Sequence, residues 1–127
     1  VHPLCTPELL REVLDAAADE AHCRVIFDPV NLFCVADGQD RAYQAAHWSR
    51  WLEVIGDQLG AVHVKDCRIE AGGSKTLLPL GEGDMDYTAI RAFLAARAPA
   101  APLIRDEVIL TADTADLHYL QAMAAGL

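Results

Sequence analysis

The sequence predicts an α/β fold in which parallel strands alternate with helices. Three short apolar segments have the length and composition of buried strands, and segments with helical periodicity separate them. Apolar residues make up 53% of the 127-residue chain, which is enough for a sizeable core. Helices that alternate with apolar strands imply a parallel sheet that is covered by helices.

The first half of the chain is predicted to contain two helices and one strand. Thr6-Pro7 opens a helix over 7–21, because threonine can cap a helix and proline suits its first position. Residues 24–28 have three apolar residues at their centre and end in a carboxylate, and this segment indicates a short buried strand. Apolar residues at helical spacing predict a second helix over 40–58, and Gly60 is expected to stop it.

The second half continues the same alternation. Its predicted elements are a strand over 61–66, a loop over 67–85, a helix over 87–98, a strand over 103–110 and a final helix that Thr111 or Asp113 caps. The loop is unusually long and has no sustained period, which is typical of functional loops. The predicted order is therefore α-β-α-β-α-β-α.

Polar residues gather at the ends of the three predicted strands. They are Asp28 on the first strand, His63, Lys65 and Asp66 on the second, and Asp106 and Glu107 on the third. In parallel α/β folds, ligands bind beyond the carboxyl ends of the strands. Carboxylates and an imidazole that meet there could hold a divalent metal, with Mn²⁺ or Mg²⁺ favoured and Zn²⁺ as an alternative.

The alternation of side chains along a strand decides which residues share this site. It brings Asp28 and His63 to one face of the sheet, with apolar neighbours on the face that meets the helices. On the third strand only one of Asp106 and Glu107 can share that face. An inward Asp106 would turn Arg105 toward the apolar helix layer, so the pattern favours Glu107 and leaves Asp106 as the alternative.

Each of these residues also has a purely structural interpretation. An aspartate before proline is often a turn residue, and a lone histidine in an apolar strand is often a hydrogen-bonded core residue. A run such as Arg105-Asp106-Glu107 is often simply solvated. Their coincidence at three successive strand ends indicates a metal or catalytic site equally well, so both interpretations stay open.

Four segments carry a resemblance to a known family through their order and spacing. They are Phe27-Asp28-Pro29-Val30-Asn31, Val62-His63-Val64-Lys65-Asp66, Leu80 to Tyr87, and Leu103 to Val108. Together they resemble motifs of the sugar phosphate isomerase/epimerase family, the xylose isomerase-like TIM barrels. The resemblance implies a partial (β/α)8 TIM barrel in which residues 1–127 are the C-terminal half and the N-terminal half is missing.

The resemblance also implies a ligand set. Members of this family usually hold a metal through Glu, Asp, His and Glu from successive strands. Asp28 and His63 match the middle two positions, and Glu107, or Asp106 if the register slips by one, matches the last. The first glutamate would lie upstream, in the missing half.

Further roles follow from the same resemblance. Glu107 would be a catalytic acid or base, and Lys65 would neutralise developing negative charge or contact substrate hydroxyls. Asn31 and Asp66 join Lys65 as expected substrate-binding residues. The implied reaction is a metal-dependent isomerisation or epimerisation of a sugar or sugar phosphate, by proton transfer next to a carbonyl through an enediolate.

Three alternatives to this activity stay open. They are a related sugar dehydratase, an abasic-site endonuclease, and a barrel-derived domain without catalysis. The net charge of −9, from 10 basic and 19 acidic residues, argues against the endonuclease and against any nucleic-acid partner.

The expected partners are a small-molecule sugar, the missing half of the barrel and, as an alternative, a second copy of the chain. No apolar run reaches the roughly 18 residues of a membrane helix, so no membrane is expected. Four cysteines without a CxxC spacing are typical of reduced thiols and favour the cytoplasm. The fragment alone is predicted to be inactive and prone to self-association through open sheet edges.

Overall fold

The computed structural model describes residues 6–17, 23–107 and 109–127, and it shows a parallel sheet with helices packed against it. In chain order, the elements are α1 (Pro7–Ala16), β1 (Val25–Phe27), α2 (Pro29–Leu32), α3 (Val35–Gln39), α4 (Arg41–Ile55), β2 (Leu59–Val64), β3 (Asp66–Ile69), β4 (Lys75–Leu78), α5 (Thr88–Arg97), β5 (Leu103–Arg105) and α6 (Asp113–Ala124). The predicted alternation of strands and helices is confirmed, with two short helices and a hairpin added to it.

The three predicted strands form one sheet in the order β1-β2-β5, and both pairings are parallel. In its register, Ile26 lies beside Ala61, and His63 lies beside Ile104. Because all three strands run in the same direction, their carboxyl ends meet at one edge of the sheet. This edge carries the polar residues that the sequence places at the strand ends.

The two faces of the sheet differ in burial, as the predicted alternation requires. Phe27, Val62 and Val64 are buried in the core under the helices. On the opposite face, Ile26 is 58% exposed and Ile104 is 41% exposed. Within the described residues this second face is therefore open, and it is the face that carries His63.

Helix α1 begins as predicted, because the Thr6 hydroxyl accepts a hydrogen bond from the Leu9 N–H at 3.3 Å. It ends at Ala16, and residues 18–22 of the predicted helix lie outside the described residues. Its partner α4 begins in a similar way, since the Asp40 carboxylate accepts from the Ala42 N–H at 2.8 Å.

The predicted stop of α4 is wrong. The helix ends at Ile55, where Gly56 adopts a φ of +53°, a conformation that glycine reaches without steric cost. A 3₁₀ turn over Gly56–Gln58 then leads directly into β2. Gly60 consequently lies within β2 and does not terminate a helix.

The predicted loop over 67–85 is wrong in its first part. Strands β3 and β4 form an antiparallel hairpin there, with Asp66 opposite Leu78 and Ile69 opposite Lys75. The side chains of β4 are mostly exposed, so the alternation that marks a half-buried strand is absent. The third strand is also shorter than predicted, since β5 ends at Arg105.

The core lies between the sheet and helices α1, α4 and α5. Its centre is the fully buried Trp48, whose ring meets Phe27 edge-on with a centroid distance of 6.1 Å. Ile90 and Leu94 of α5 are fully buried beside it. No helix within the described ranges is long and apolar enough to cross a membrane.

Candidate metal and catalytic site

Three potential ligands converge at the carboxyl edge of the sheet. Asp28 follows β1, His63 lies in β2, and Asp106 follows β5. The His63 Nδ1 atom is 3.4 Å from Asp28 Oδ2 and 3.3 Å from Asp106 Oδ2. One ligand atom from each of the three residues lies within 4.8 Å of the others. Two carboxylates and one imidazole therefore share one small volume.

The Lys65 ammonium lies between the carboxylates of Asp28, Asp106 and Glu107. Its Nζ atom is 2.9 Å from Asp28 Oδ2, 2.9 Å from Asp106 Oδ2 and 3.3 Å from Glu107 Oε2. Its side chain is only 5% exposed. Burial alone would lower the pKa of Lys65, but hydrogen bonds to Asp106 and Asp28 outweigh it and raise that pKa. The ammonium is therefore fully charged at neutral pH.

The same contact acts on Asp106 in the opposite direction. The hydrogen bond from the Lys65 ammonium lowers the pKa of the Asp106 carboxyl. Asp106 is therefore a carboxylate at neutral pH, which is the form that can bind a metal ion.

The preference for an inward Glu107 over Asp106 is wrong. The strand pattern predicts no partner for a charged Arg105 in the apolar helix layer. In the structure, the Arg105 Nε atom donates to Asp116 Oδ2 of α6 at 2.6 Å. Both side chains are almost completely buried, and Arg105 Nη1 also donates to the Val64 carbonyl at 3.3 Å. A buried partner thus neutralises the charge of the guanidinium, and this leaves Asp106 on the face that carries His63.

Glu107 stands beside the cluster in a strained conformation. Its φ is +55°, a left-handed value that is uncommon for a residue with a side chain. The side chain is half exposed, and its contact with the cluster is the 3.3 Å approach to Lys65 Nζ. Glu107 therefore faces the open side of the cluster and is accessible to a ligand.

Asn31 lies next to Asp28 and supports it. The Asn31 backbone N–H donates to Asp28 Oδ1 at 3.2 Å, and its Nδ2 atom donates to Asp28 Oδ2 at 2.9 Å. Asp28 is the N-cap of α2, so the start of this short helix sets the orientation of the carboxylate. The expected contact of Asn31 with substrate stays a prediction.

Asp66 lies in the interior, and its expected contact with substrate stays a prediction. Asp66 is 2% exposed, and its carboxylate accepts four backbone N–H groups. The donors are Cys67 at 2.8 Å, Gly81 at 2.9 Å, Gly83 at 3.0 Å and Met85 at 3.2 Å. Burial raises the pKa of Asp66, and these amides oppose that shift. Asp66 therefore holds segment 80–87 in place.

Two further side chains anchor segment 80–87, one from α4 and one from the segment itself, and the motif pattern did not reveal their roles. The fully buried Gln44 of α4 donates to the Asp84 carbonyl at 3.0 Å. The Tyr87 hydroxyl accepts from the Lys65 N–H at 3.0 Å and donates to the Lys65 carbonyl at 2.8 Å. Segment 80–87 thereby fixes the backbone from which the Lys65 side chain extends.

Gly83 is required at its position by lack of space. A Cβ atom there would lie 2.1 Å from Asp66 Oδ1 and 2.6 Å from the Cys67 carbonyl oxygen. The close approach lets the Gly83 N–H reach the Asp66 carboxylate. Gly83 thus allows segment 80–87 to pack directly against Asp66.

Comparison with protein families identifies the family to which the chain belongs. A family model described as xylose isomerase-like TIM barrel matches residues 1–104. The match covers well over half of the chain, so the chain belongs to this family. The family includes isomerases, epimerases and endonucleases, and it is generally enzymatic. No curated protein and no solved structure matches the chain significantly.

The donor set fits a divalent cation of the kind that this family often uses. Carboxylate oxygens and imidazole nitrogen suit Mn²⁺, Mg²⁺ and Zn²⁺. Asp28, Asp106 and Glu107 carry three negative charges against the single positive charge of Lys65. The excess of two negative charges matches the charge of one divalent ion.

Proposed function

We propose that this chain belongs to a metal-dependent sugar or sugar phosphate isomerase or epimerase, which moves a proton next to a carbonyl through an enediolate. The observation that carries the proposal is the convergence of Asp28, His63 and Asp106, with Lys65 and Glu107 beside them, at adjacent strand ends. In barrels of this type, active sites lie at the carboxyl ends of the strands.

Asp28, His63 and Asp106 would hold the metal, which we propose to be Mn²⁺ or Mg²⁺, with Zn²⁺ as the alternative. The metal, when bound, would polarise the substrate carbonyl and stabilise negative charge on its oxygen. Asn31 keeps the Asp28 carboxylate in one orientation, as residues behind metal ligands commonly do.

Glu107 is the proposed acid–base group. It is accessible, it lies beside the ligands without being among the three closest, and its backbone is held at a positive φ. Strain of this kind is retained where it places a functional side chain. A carboxylate at that position can remove a proton from the carbon next to the carbonyl and return it to the same or the neighbouring carbon.

We also propose that residues 1–127 supply one half of a barrel and that further strands complete it. The exposed Ile26 and Ile104 on the face that carries His63 support this, because the inner face of a closed barrel is filled with side chains. A second copy of the chain is the alternative source of those strands. The free thiols of Cys23, Cys34 and Cys67 favour a cytoplasmic setting.

Proton exchange with solvent tests the proposed reaction. The Mn²⁺-loaded full-length protein is incubated in D₂O with a panel of ketoses, aldoses and their phosphates, and deuterium next to the carbonyl is followed by NMR. We expect exchange and isomerisation with at least one sugar. Glu107→Gln should lower kcat at least about a hundredfold while it leaves Mn²⁺ bound.

Glu53→Gln is the matched control, because Glu53 is exposed on α4 and lies outside the cluster. It should retain the wild-type kcat. Absence of exchange with every sugar in the panel, or a Glu107→Gln variant as active as the control, would contradict the proposed reaction.

A further inference from the structure

The Lys65 ammonium uses the same oxygen atoms that a metal would need. Its Nζ atom contacts Oδ2 of Asp28 and Oδ2 of Asp106, each at 2.9 Å. The His63 Nδ1 atom approaches the same two oxygens, at 3.4 Å and 3.3 Å. The Lys65 ammonium would therefore compete for the two carboxylates with a divalent ion that Asp28, His63 and Asp106 hold.

The ammonium can move without disturbing the strand that carries it. The Tyr87 hydroxyl bonds to both the N–H and the carbonyl of Lys65, so the backbone at this position is fixed. The four-carbon side chain has rotatable bonds along its whole length, and the third carboxylate, Glu107, is 3.3 Å from Nζ on the exposed side of the cluster. A rotation of the side chain can therefore release Asp28 and Asp106 while an ion pair with Glu107 is kept.

We propose that Lys65 is the internal counter-ion of this site. In the metal-free protein its ammonium holds Asp28 and Asp106 together and offsets their repulsion. A divalent ion displaces it from these two oxygens when it binds. The inference rests on the proposed function, because it assumes that Asp28, His63 and Asp106 are the metal ligands.

Replacement of Lys65 by methionine tests two effects of the ammonium. The first is its stabilisation of the metal-free protein, and the second is its competition with the metal ion. Methionine keeps an unbranched apolar side chain of similar length and removes the charge. Metal-free Lys65→Met should have a Tm lower by about 5 °C, because the closely spaced carboxylates of Asp28 and Asp106 then repel each other without compensation. The same variant should bind Mn²⁺ at least about tenfold more tightly than wild type, because no cation has to be displaced.

Lys75→Met is the matched control. Lys75 lies on β4, and its Nζ atom donates to the backbone carbonyl of Val30 in α2 and not to a carboxylate of the cluster. The Lys75→Met substitution also removes one positive charge, and it should leave the Mn²⁺ affinity at the wild-type value. Affinities are measured by isothermal titration of the full-length metal-free proteins with MnCl₂, and Tm by calorimetry.

The outcomes separate this inference from the proposed function. If wild type binds Mn²⁺ and Lys65→Met binds it equally or less tightly, the counter-ion role is wrong and the metal site stands. If neither protein binds Mn²⁺, both fail. If Lys65→Met does not fold, Lys65→Gln, which keeps a polar group, undergoes the same titration and the same comparison decides.

Discussion

Replacement of Asp28 by asparagine is expected to lower Mn²⁺ affinity at least about a hundredfold and kcat/KM about a thousandfold. Asp28 Oδ2 is the atom on which His63, Lys65 and Asn31 all converge. The substitution keeps the size of the side chain and removes the negative charge, so a hard divalent ion loses an anionic ligand. Isothermal titration with MnCl₂ measures the affinity, and steady-state kinetics on the preferred sugar measures kcat/KM.

Asp57→Asn is the control for this change. It is the same change from aspartate to asparagine, made at a carboxylate that is 84% exposed and pairs with Arg97 on the surface. Exposed pairs contribute about 0–1 kcal/mol, so this variant should keep its metal, its activity and nearly all its stability. A wild-type Mn²⁺ affinity in Asp28→Asn would remove this residue from the ligand set.

Replacement of Asp66 by alanine is expected to lower the free energy of unfolding by about 3–5 kcal/mol. Four backbone N–H groups lose their acceptor in a buried environment, among them those of Gly81 and Gly83. Segment 80–87 would then lose the contact that holds it against β3. Urea unfolding followed by circular dichroism measures the change.

The corresponding asparagine variant provides an internal comparison. Asp66→Asn keeps one oxygen acceptor and places an NH₂ group against amide donors, so we expect a loss smaller than that of alanine but still above 1 kcal/mol, as an order-of-magnitude figure. A loss below about 1 kcal/mol in Asp66→Ala would show that the four hydrogen bonds are not what holds this segment.

The strands and their faces could be predicted because they depend on local patterns. Val62 and Val64 are buried, and His63 between them lies on the other face, as an alternation of period two requires. The apolar residues of β1 and β2 also predicted that Asp28 and His63 lie on one face at the carboxyl ends of the strands. These features need no knowledge of distant residues.

The errors lie where a distant partner decides the outcome. Asp106 takes the place expected of Glu107 because Asp116 of α6 neutralises Arg105 inside the helix layer, and a strand pattern cannot reveal that partner. The structural role of Asp66 also depends on distant partners. Its donors are amides of segment 80–87, which come near it only after the intervening hairpin has formed.

The most direct test of the metal site is a crystal structure of the full-length protein soaked with MnCl₂, with anomalous data collected at the manganese edge. We expect one strong anomalous peak within about 2.0–2.4 Å of a ring nitrogen of His63 and of carboxylate oxygens of Asp28 and Asp106. The Lys65 ammonium should have moved away from those two carboxylates. A fully ordered site without an anomalous peak, with Lys65 still between Asp28 and Asp106, would contradict the account.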